Sequence, residues 1–169
     1  GCIGSWLVAE RIRQGSSCVV YDNLPSGKAE HLSLFADNPL LNVVEGDILE
    51  FELLLSSMQG VDCVWHFAAN PDVRYNEGDA TDKDIRQNTI GTYNVLESMR
   101  RNGVKNLVFA STPAVYGGSK TLPTPEDHPL NPFSLYGASK AAPETLLLTL
   151  PHLLALRFHV FVLSHVFEG

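Results

Sequence analysis

Five short apolar runs alternate along the chain with stretches of helical periodicity. Each run has the length of a strand, is rich in β-branched or aromatic residues and is apolar on both faces, as expected for a parallel sheet covered on both sides. The alternation therefore predicts a doubly wound α/β sheet. Helices are predicted over residues 4–14 and 79–102, the second with an apolar stripe from Ile85 to Met99. The predicted strands are 18–21, 41–44, 62–67, 106–110 and 158–163.

Size, charge and cysteine content narrow the class of protein. A chain of 169 residues that is 44% hydrophobic and 18% charged is expected to form one globular domain over residues 1–169. Its net charge of −7 opposes binding to phosphate backbones, so no nucleic-acid partner is predicted. The three cysteines have no Cys-x-x-Cys spacing and indicate reduced thiols and a cytoplasmic location. The apolar stretch 146–163 contains Pro151 and Arg157, which argues against a membrane span.

The first residues form a glycine turn that enters a helix with no strand before it. Gly1 and Gly4 are spaced so that backbone amides at a helix N-terminus could approach a pyrophosphate. Asp22 follows about 20 residues later, where a carboxylate accepts hydrogen bonds from the adenosine ribose and repels a 2′-phosphate. This arrangement favours NAD over NADP, although Asp22 is equally consistent with a turn before residues 23–27.

Two further strand ends suit the same crevice. Asp47 and Ile48 follow the second predicted strand, and Phe67, Ala68 and Ala69 lie at the end of the third. Small residues at the carboxyl ends of parallel strands allow a flat cofactor to lie against the backbone. Taken singly, either segment is also explained by core packing.

Tyr136 and Lys140 carry the sharpest chemical signal. They are four residues apart and share one face of a predicted helix, where a nearby ammonium lowers the pKa of a phenol. A tyrosine with a lowered pKa is a general base for a secondary alcohol. Thr112 follows the fourth predicted strand and offers a hydroxyl that could orient the same alcohol. The Tyr-x-x-x-Lys spacing alone is common on solvated helix faces. The hydroxyl of Thr112 at the end of the preceding strand makes the catalytic interpretation more specific.

Seven segments resemble, in their order and spacing, the motifs of the extended short-chain dehydrogenase/reductases. The similarity is strongest to the NAD-dependent epimerase/dehydratase family and, within it, to the UDP-glucose 4-epimerase-like members. It covers nearly the whole chain. The segments are residues 1–4, 20–24, 46–48, 66–69, 88–92, 109–117 and 136–140.

The resemblance implies an NAD-dependent nucleotide-sugar 4-epimerase of the UDP-glucose/UDP-galactose type, with a UDP-sugar as substrate and a homodimer for the longer protein. Tyr136 would take the proton from the sugar 4-hydroxyl while hydride leaves C4 for the nicotinamide. Lys140 would bind the nicotinamide ribose, and Thr112 would hydrogen-bond the reacting oxygen. Asn88 would support the cofactor from beneath. The implied cofactor-binding residues are Gly1, Ile3, Gly4, Asp22, Asn23, Asp47, Ile48, Phe67, Ala68, Ala69, Asn88, Tyr136 and Lys140.

The chain also departs from the family pattern. The family's opening strand, first glycine and carboxy-terminal substrate domain are not among the 169 residues, so the chain alone is expected not to turn over substrate. We expect a Rossmann-type strand order without its first strand, either closed over the gap or left with two unpaired inner edges. Pro143 falls inside the helix of Tyr136 and is expected to kink it. Val162 and His165 stand where the family commonly has Arg and Asn.

Several other functions are consistent with parts of the sequence. A nucleotide-sugar dehydratase or reductase of the same family is an alternative, but a 4,6-dehydratase usually has Asp-Glu after the threonine, where this chain has Pro113 and Ala114. A non-catalytic NAD-binding module has no need of Thr112, Tyr136 and Lys140 together, and an inactive fragment of the enzyme is a third possibility. No metal site is predicted, because no Cys or carboxylate joins the histidines at ligand spacing.

Overall fold

Strands and helices alternate along the chain, as the sequence predicts. The computed structural model describes residues 1–24, 32–33, 35–70, 81–118, 123–149 and 156–163. The strands are β1 (Cys18–Asp22), β2 (Leu41–Glu45), β3 (Cys63–His66), β4 (Asn106–Ser111) and β5 (Arg157–Val162). The α-helices are α1 (Cys2–Arg13), α2 (Phe51–Ser57), α3 (Gly91–Asn102) and α4 (Leu135–Thr149). A π-helix (Ile85–Ile90) leads directly into α3, and a 3₁₀ turn (Pro113–Val115) follows β4.

The strands form two parallel sheets. β1 pairs with β2, placing Cys18 opposite Leu41, and β4 lies between β3 and β5, placing Asn106 between Cys63 and Arg157. The predicted doubly wound parallel α/β fold is confirmed. The order β2-β1 followed by β3-β4-β5 is that of the Rossmann fold with one position open between β1 and β3. Within the described ranges neither strand pairs across that position, so both inner edges are left unpaired.

Glycines end two of the helices where the sequence predicts it. The Gly15 amide donates to the Ile12 carbonyl at 2.9 Å and has φ +81, so it stops α1 in the left-handed region. Gly103 ends α3 in the same way, with φ +69. α1 itself begins at Cys2, two residues before the predicted start, and Gly1 is its N-cap.

The hydrophobic core lies between the larger sheet and helices α2 and α3. Alternate residues of β4 face it, and Leu107 and Phe109 are no more than 1% exposed. They pack with Leu96 and Met99 of α3 and with Leu147 of α4. Since burial of such side chains drives folding, the core also fixes α4 against the sheet.

The helix predicted over residues 79–102 forms two elements, the π-helix and α3. The predicted apolar stripe is wrong at its N-terminal end. Leu96 and Met99 are buried as predicted, but Ile85 is 48% exposed while the polar Asn88 is 1% exposed. The wider turn of the π-helix shifts which positions face inward, so a period of 3.6 residues misassigns Ile85. π-helical turns are frequent at functional sites, and this one contributes Asn88 to the site.

Two positions that depart from the family pattern, Pro143 and Val162, lie in regular secondary structure. α4 continues through Pro143 to Thr149 rather than ending at the proline, and Val162 is the last residue of β5. Within the described part of the chain, every helix is too short or too polar to cross a lipid bilayer. His165 lies outside the described residues.

Candidate active site

The turn that the sequence predicts to bind phosphate lies at the N-terminus of α1. Gly1 is the N-cap, and the amides of Cys2, Ile3 and Gly4 lie in the first turn, where helical amides have no partner within the helix. A Cβ at Gly4 would lie 4.0 Å from Phe67 Cδ2, whereas one at Gly1 would meet nothing within 4 Å. The turn therefore faces the segment after β3, as the predicted crevice requires.

Asp47 is the centre of a hydrogen-bonded group beyond the ends of β1 and β2. Its carboxylate accepts from the Leu49 amide at 2.9 Å, from Gln87 Nε2 at 3.1 Å and from Asn23 Nδ2 at 3.1 Å. Burial acts to raise the pKa of Asp47, but these hydrogen bonds outweigh it and hold the pKa below its usual value. The structure thus joins Asn23 and Asp47, and it adds Gln87, which the sequence analysis missed.

Asp22 ends β1 and makes a local turn. Its Oδ1 accepts from the Leu24 amide at 2.8 Å, and Leu24 has φ +58. The turn interpretation of Asp22 is therefore confirmed, and its ribose contact stays a prediction. Ile48 is 6% exposed and packs in the core, where its carbonyl accepts from Asn94 Nδ2 at 3.0 Å. Ala68 and Ala69 are partly buried next to Phe67.

Asn88 joins three segments beneath the site. Its Nδ2 donates to Ser139 Oγ at 2.9 Å, and its Oδ1 accepts from the Asn70 amide at 2.8 Å. Ser139 Oγ in turn donates to the Tyr136 carbonyl at 2.7 Å. Asn88 therefore supports the loop after β3 and the turn of α4 that carries the predicted base. Asp84, fully buried, accepts from Asn70 Nδ2 at 2.7 Å and extends this polar network.

Thr112 and Tyr136 are brought together as the sequence predicts. Ser134 caps α4 by accepting from the Gly137 amide at 3.0 Å, which sets Tyr136 in the first turn of the helix. Thr112 caps the 3₁₀ turn, accepting from the Ala114 amide at 3.3 Å, and its hydroxyl lies near enough to Tyr136 to lower the pKa of that phenol. Two hydroxyl-bearing side chains from separate elements therefore lie close together.

Lys140 is buried on the core side of α4. It is 4% exposed, and its Nζ lies 4.3 Å from the centroid of the Phe109 ring. Burial lowers the pKa of Lys140 to about 8, although the charge of Glu144 acts to raise it. Because the side chain extends toward Phe109 and Glu144, sharing a helix face with Tyr136 does not by itself bring the ammonium to the phenol.

The expected lowering of the Tyr136 pKa is wrong for this structure. Burial raises the pKa of Tyr136 above its usual value, and the nearby Thr112 hydroxyl offsets this increase only in part. Asp84 adds a further increase through its negative charge. The reason is that the phenol is half-buried among neutral and acidic groups, so the phenolate is penalised.

Part-buried Glu144 and buried His66 lie close enough to Lys140 to feel its charge, and the sequence analysis missed the first of them. The Ser111 hydroxyl donates to Glu144, whose pKa burial raises. His66 Nε2 lies 2.9 Å from Thr92 Oγ1, and complete burial lowers the pKa of His66 to about 3. Glu144 follows Lys140 by four residues and so lies on the same helix face. Extending the i, i+4 spacing of Tyr136 and Lys140 by one turn would have identified it.

The comparisons with known proteins agree with this arrangement. Residues 1–167 match the NAD dependent epimerase/dehydratase family. The chain is 36% identical over 149 residues to a UDP-glucose 4-epimerase of Lacticaseibacillus casei, covering 87% of this chain and 43% of that protein.

Two solved structures are similar over nearly all of the chain. One is a UDP-galactose 4-epimerase, with a TM-score of 0.80 and 39% identity over 94% of this chain and 51% of that one. The other is a dTDP-glucose 4,6-dehydratase double mutant of Streptomyces venezuelae with NAD bound, with a TM-score of 0.85 and 31% identity over 95% and 52%. The chain thus spans about half the length of the relatives it matches.

Proposed function

The chain belongs to the NAD dependent epimerase/dehydratase family, and we propose that it is the NAD-binding part of a nucleotide-sugar 4-epimerase of the UDP-glucose/UDP-galactose type. The observation that carries the proposal is that the Thr112 hydroxyl lies near the Tyr136 phenol, with Lys140 one helical turn further on. The epimerases among the similar proteins support the substrate class. Since those proteins are about twice as long, the activity is that of the full-length protein.

The groups along this edge suit NAD. The first-turn amides of α1, which include those of Ile3 and Gly4, would hold the pyrophosphate. Asp22 and Asn23 at the end of β1 would hold the adenosine ribose, and a carboxylate there disfavours the 2′-phosphate of NADP. Lys140 would hold the nicotinamide ribose. When bound there, NAD would supply the hydride acceptor, and then the hydride donor, for C4 of the sugar.

Tyr136 and Thr112 have complementary tasks in this reaction. Thr112 would hold the sugar 4-oxygen by a hydrogen bond, and Tyr136 would take its proton and later return it. Because burial raises the pKa of Tyr136, formation of the phenolate requires positive charge close to the phenol. Lys140 is the only cation in α4 and would supply that charge if its ammonium turned from the Phe109 ring toward the phenol.

The residues after Thr112 favour epimerisation over dehydration. Removal of water from a sugar requires an acid and a base besides the group that deprotonates the 4-hydroxyl. Pro113 and Ala114 occupy the 3₁₀ turn at that place and carry neither. The similarity to a dehydratase therefore supports the shared fold and cofactor class, and the epimerase proposal rests on the turn.

A substitution of the base tests the proposal. In the full-length protein, Tyr136→Phe should lower kcat for conversion of UDP-galactose by about 10²–10⁴-fold while leaving the melting temperature unchanged. Tyr93→Phe, on the exposed side of α3, is the matched control and should keep full activity. Retained activity in Tyr136→Phe would assign the base elsewhere, with His66 next to be tested. NAD binding without conversion would favour a non-catalytic module.

Two further properties belong to this proposal. The free thiols of Cys2, Cys18 and Cys63 suit a reducing compartment, which supports the cytoplasmic location. The homodimer is proposed for the full-length protein, and sedimentation analysis of that protein would test it.

A further inference from the structure

Pro143 removes a hydrogen bond from the middle of α4. Proline has no amide hydrogen, and in an α-helix the amide of residue 143 would donate to the carbonyl of Ser139. The proline side chain is fully buried and the helix continues beyond it to Thr149. The Ser139 carbonyl therefore needs a donor from outside the helix.

Thr89 of the π-helix supplies that donor. Its Oγ1 donates to the Ser139 carbonyl at 3.0 Å. Ser139 is 3% exposed, so water has little access to replace this bond, and a buried carbonyl left without a donor costs stability. The hydroxyl of Thr89 thus stands in for the amide hydrogen that Pro143 lacks.

The same turn of α4 is held a second time by the residue before Thr89. Asn88 Nδ2 donates to Ser139 Oγ at 2.9 Å, and Ser139 Oγ donates to the Tyr136 carbonyl at 2.7 Å. Consecutive residues of the π-helix therefore bind the side chain and the main chain of one serine. That serine lies between Tyr136 and Lys140 in the helix.

We propose that Thr89 is a positioning residue of the site, whose hydroxyl replaces the missing amide of Pro143 and so holds the Ser139 turn against the π-helix. Tyr136 and Lys140 lie on either side of this turn and take their positions from it. The consequence for the cofactor rests on the proposed function, whereas the hold on α4 does not.

A double-mutant cycle tests whether the hydroxyl and the proline act together. Thr89→Val should lower the melting temperature by about 3–8 °C, because the Ser139 carbonyl loses its donor. In a Pro143→Ala background the helix amide returns, and the same change should cost less than about 2 °C. Thr89→Ser keeps the hydroxyl and should stay within about 2 °C of the unsubstituted protein.

Thr145→Val is the matched control within the same helix. Thr145 Oγ1 donates to the Ala141 carbonyl at 3.1 Å, but that carbonyl also accepts from the helical amide of residue 145. Thr145→Val should therefore lower the melting temperature by less than about 2 °C, both in the unsubstituted protein and in the Pro143→Ala background. Equal losses for Thr89→Val on both backgrounds would overturn the proposal. If Thr89→Val alone does not fold, the double variant with Pro143→Ala should fold, and its failure would overturn the proposal as well.

Amide hydrogen exchange distinguishes positioning from a general loss of stability. Thr89→Val should speed exchange at least tenfold across residues 137–142, with residues 96–99 of α3 unchanged, and Pro143→Ala should restore the rate. Uniform acceleration over the whole chain would refute a local role. Calorimetry with NAD should then show weaker binding in Thr89→Val and recovery in the double variant. If the unsubstituted protein binds no NAD, the proposed function fails while the melting and exchange results still decide this inference.

Discussion

The ammonium of Lys140 lies 4.3 Å from the centroid of the Phe109 ring, and both side chains are buried. A cation over an aromatic face is attracted to it, but this attraction does not compensate for the removal of water. Burial consequently lowers the pKa of Lys140 to about 8, so the group that the proposed reaction requires as a cation loses its proton only slightly above neutral pH.

This burial makes a prediction about stability at alkaline pH. Between pH 8 and 10.5 the unfolded chain binds more protons at Lys140 than the folded protein, so the free energy of unfolding increases with pH. Below pH 8 the whole penalty is present, roughly 3 kcal/mol. Lys140→Met should therefore stabilise the protein at pH 7, and the gain should disappear by pH 10.5.

Urea unfolding at the two pH values measures this difference. Lys105→Met is the matched control, because Lys105 is exposed and its substitution should give the same small change at both pH values. A gain for Lys140→Met that does not depend on pH would show that packing, not charge, is responsible.

His66 makes the complementary prediction at acid pH. Its pKa is lowered to about 3 by burial, so between pH 6.5 and 3 the unfolded chain binds more protons at this residue. The contribution of neutral His66 to the free energy of unfolding is complete above pH 6.5. As the pH falls to 3, this contribution decreases by about 4 kcal/mol. His66→Asn should flatten the fall of stability with acid, measured by urea unfolding from pH 7 to 4. The control His159→Asn, at an exposed position of β5, should leave the fall unchanged. If the free energy of unfolding depended on pH in the same way for His66→Asn and for the unsubstituted protein, His66 would not be the source of the acid sensitivity.

Gly117 is expected to be intolerant of a side chain. Its φ is +66, and a Cβ there would lie 2.1 Å from the Asn131 carbonyl oxygen. The Asn131 amide donates to the Val115 carbonyl at 2.9 Å, so the clash would disturb the 3₁₀ turn that Thr112 caps. Gly117→Ala should cost about 2 kcal/mol or more of unfolding free energy in thermal or urea unfolding. Gly118→Ala is the control, since a Cβ at Gly118 meets nothing within 4 Å, and equal stability of the two variants would be the contrary result.

Asp22 should set the preference for NAD. Asp22→Ala is expected to weaken NAD binding about tenfold and to reduce the discrimination against NADP, as measured by calorimetry. Asp22→Asn distinguishes the effect of the negative charge from the effect of the turn. It keeps an acceptor for the Leu24 amide and removes the charge that repels a 2′-phosphate. It should therefore change the preference while leaving stability nearly intact. Equal affinity of the unsubstituted protein for NAD and NADP would remove this role from Asp22.

Much of the fold was predictable because periodicity reports burial. The β4 and β5 runs were predicted within one residue at each end, since strands covered on both faces have continuous apolar sequences. Ile85 shows the limit of this reasoning. A π-helix changes the number of residues per turn, and no residue type in the segment predicts a π-helix. Similarly, Pro143 predicted the loss of a helical hydrogen bond to the Ser139 carbonyl, but only the tertiary structure shows that the hydroxyl of Thr89 from another element bonds to that carbonyl.

The sequence by itself determined the element order, the parallel α/β class and the family, because these follow from patterns of neighbouring residues. It also identified Thr112 and Tyr136 as a pair. Only the tertiary structure decided the state of the groups around them. Burial raises the pKa of Tyr136 and lowers that of Lys140, and it depends on which segments cover each side chain. The partners of Ser139 likewise come from about 50 residues away, a contact that local spacing does not encode.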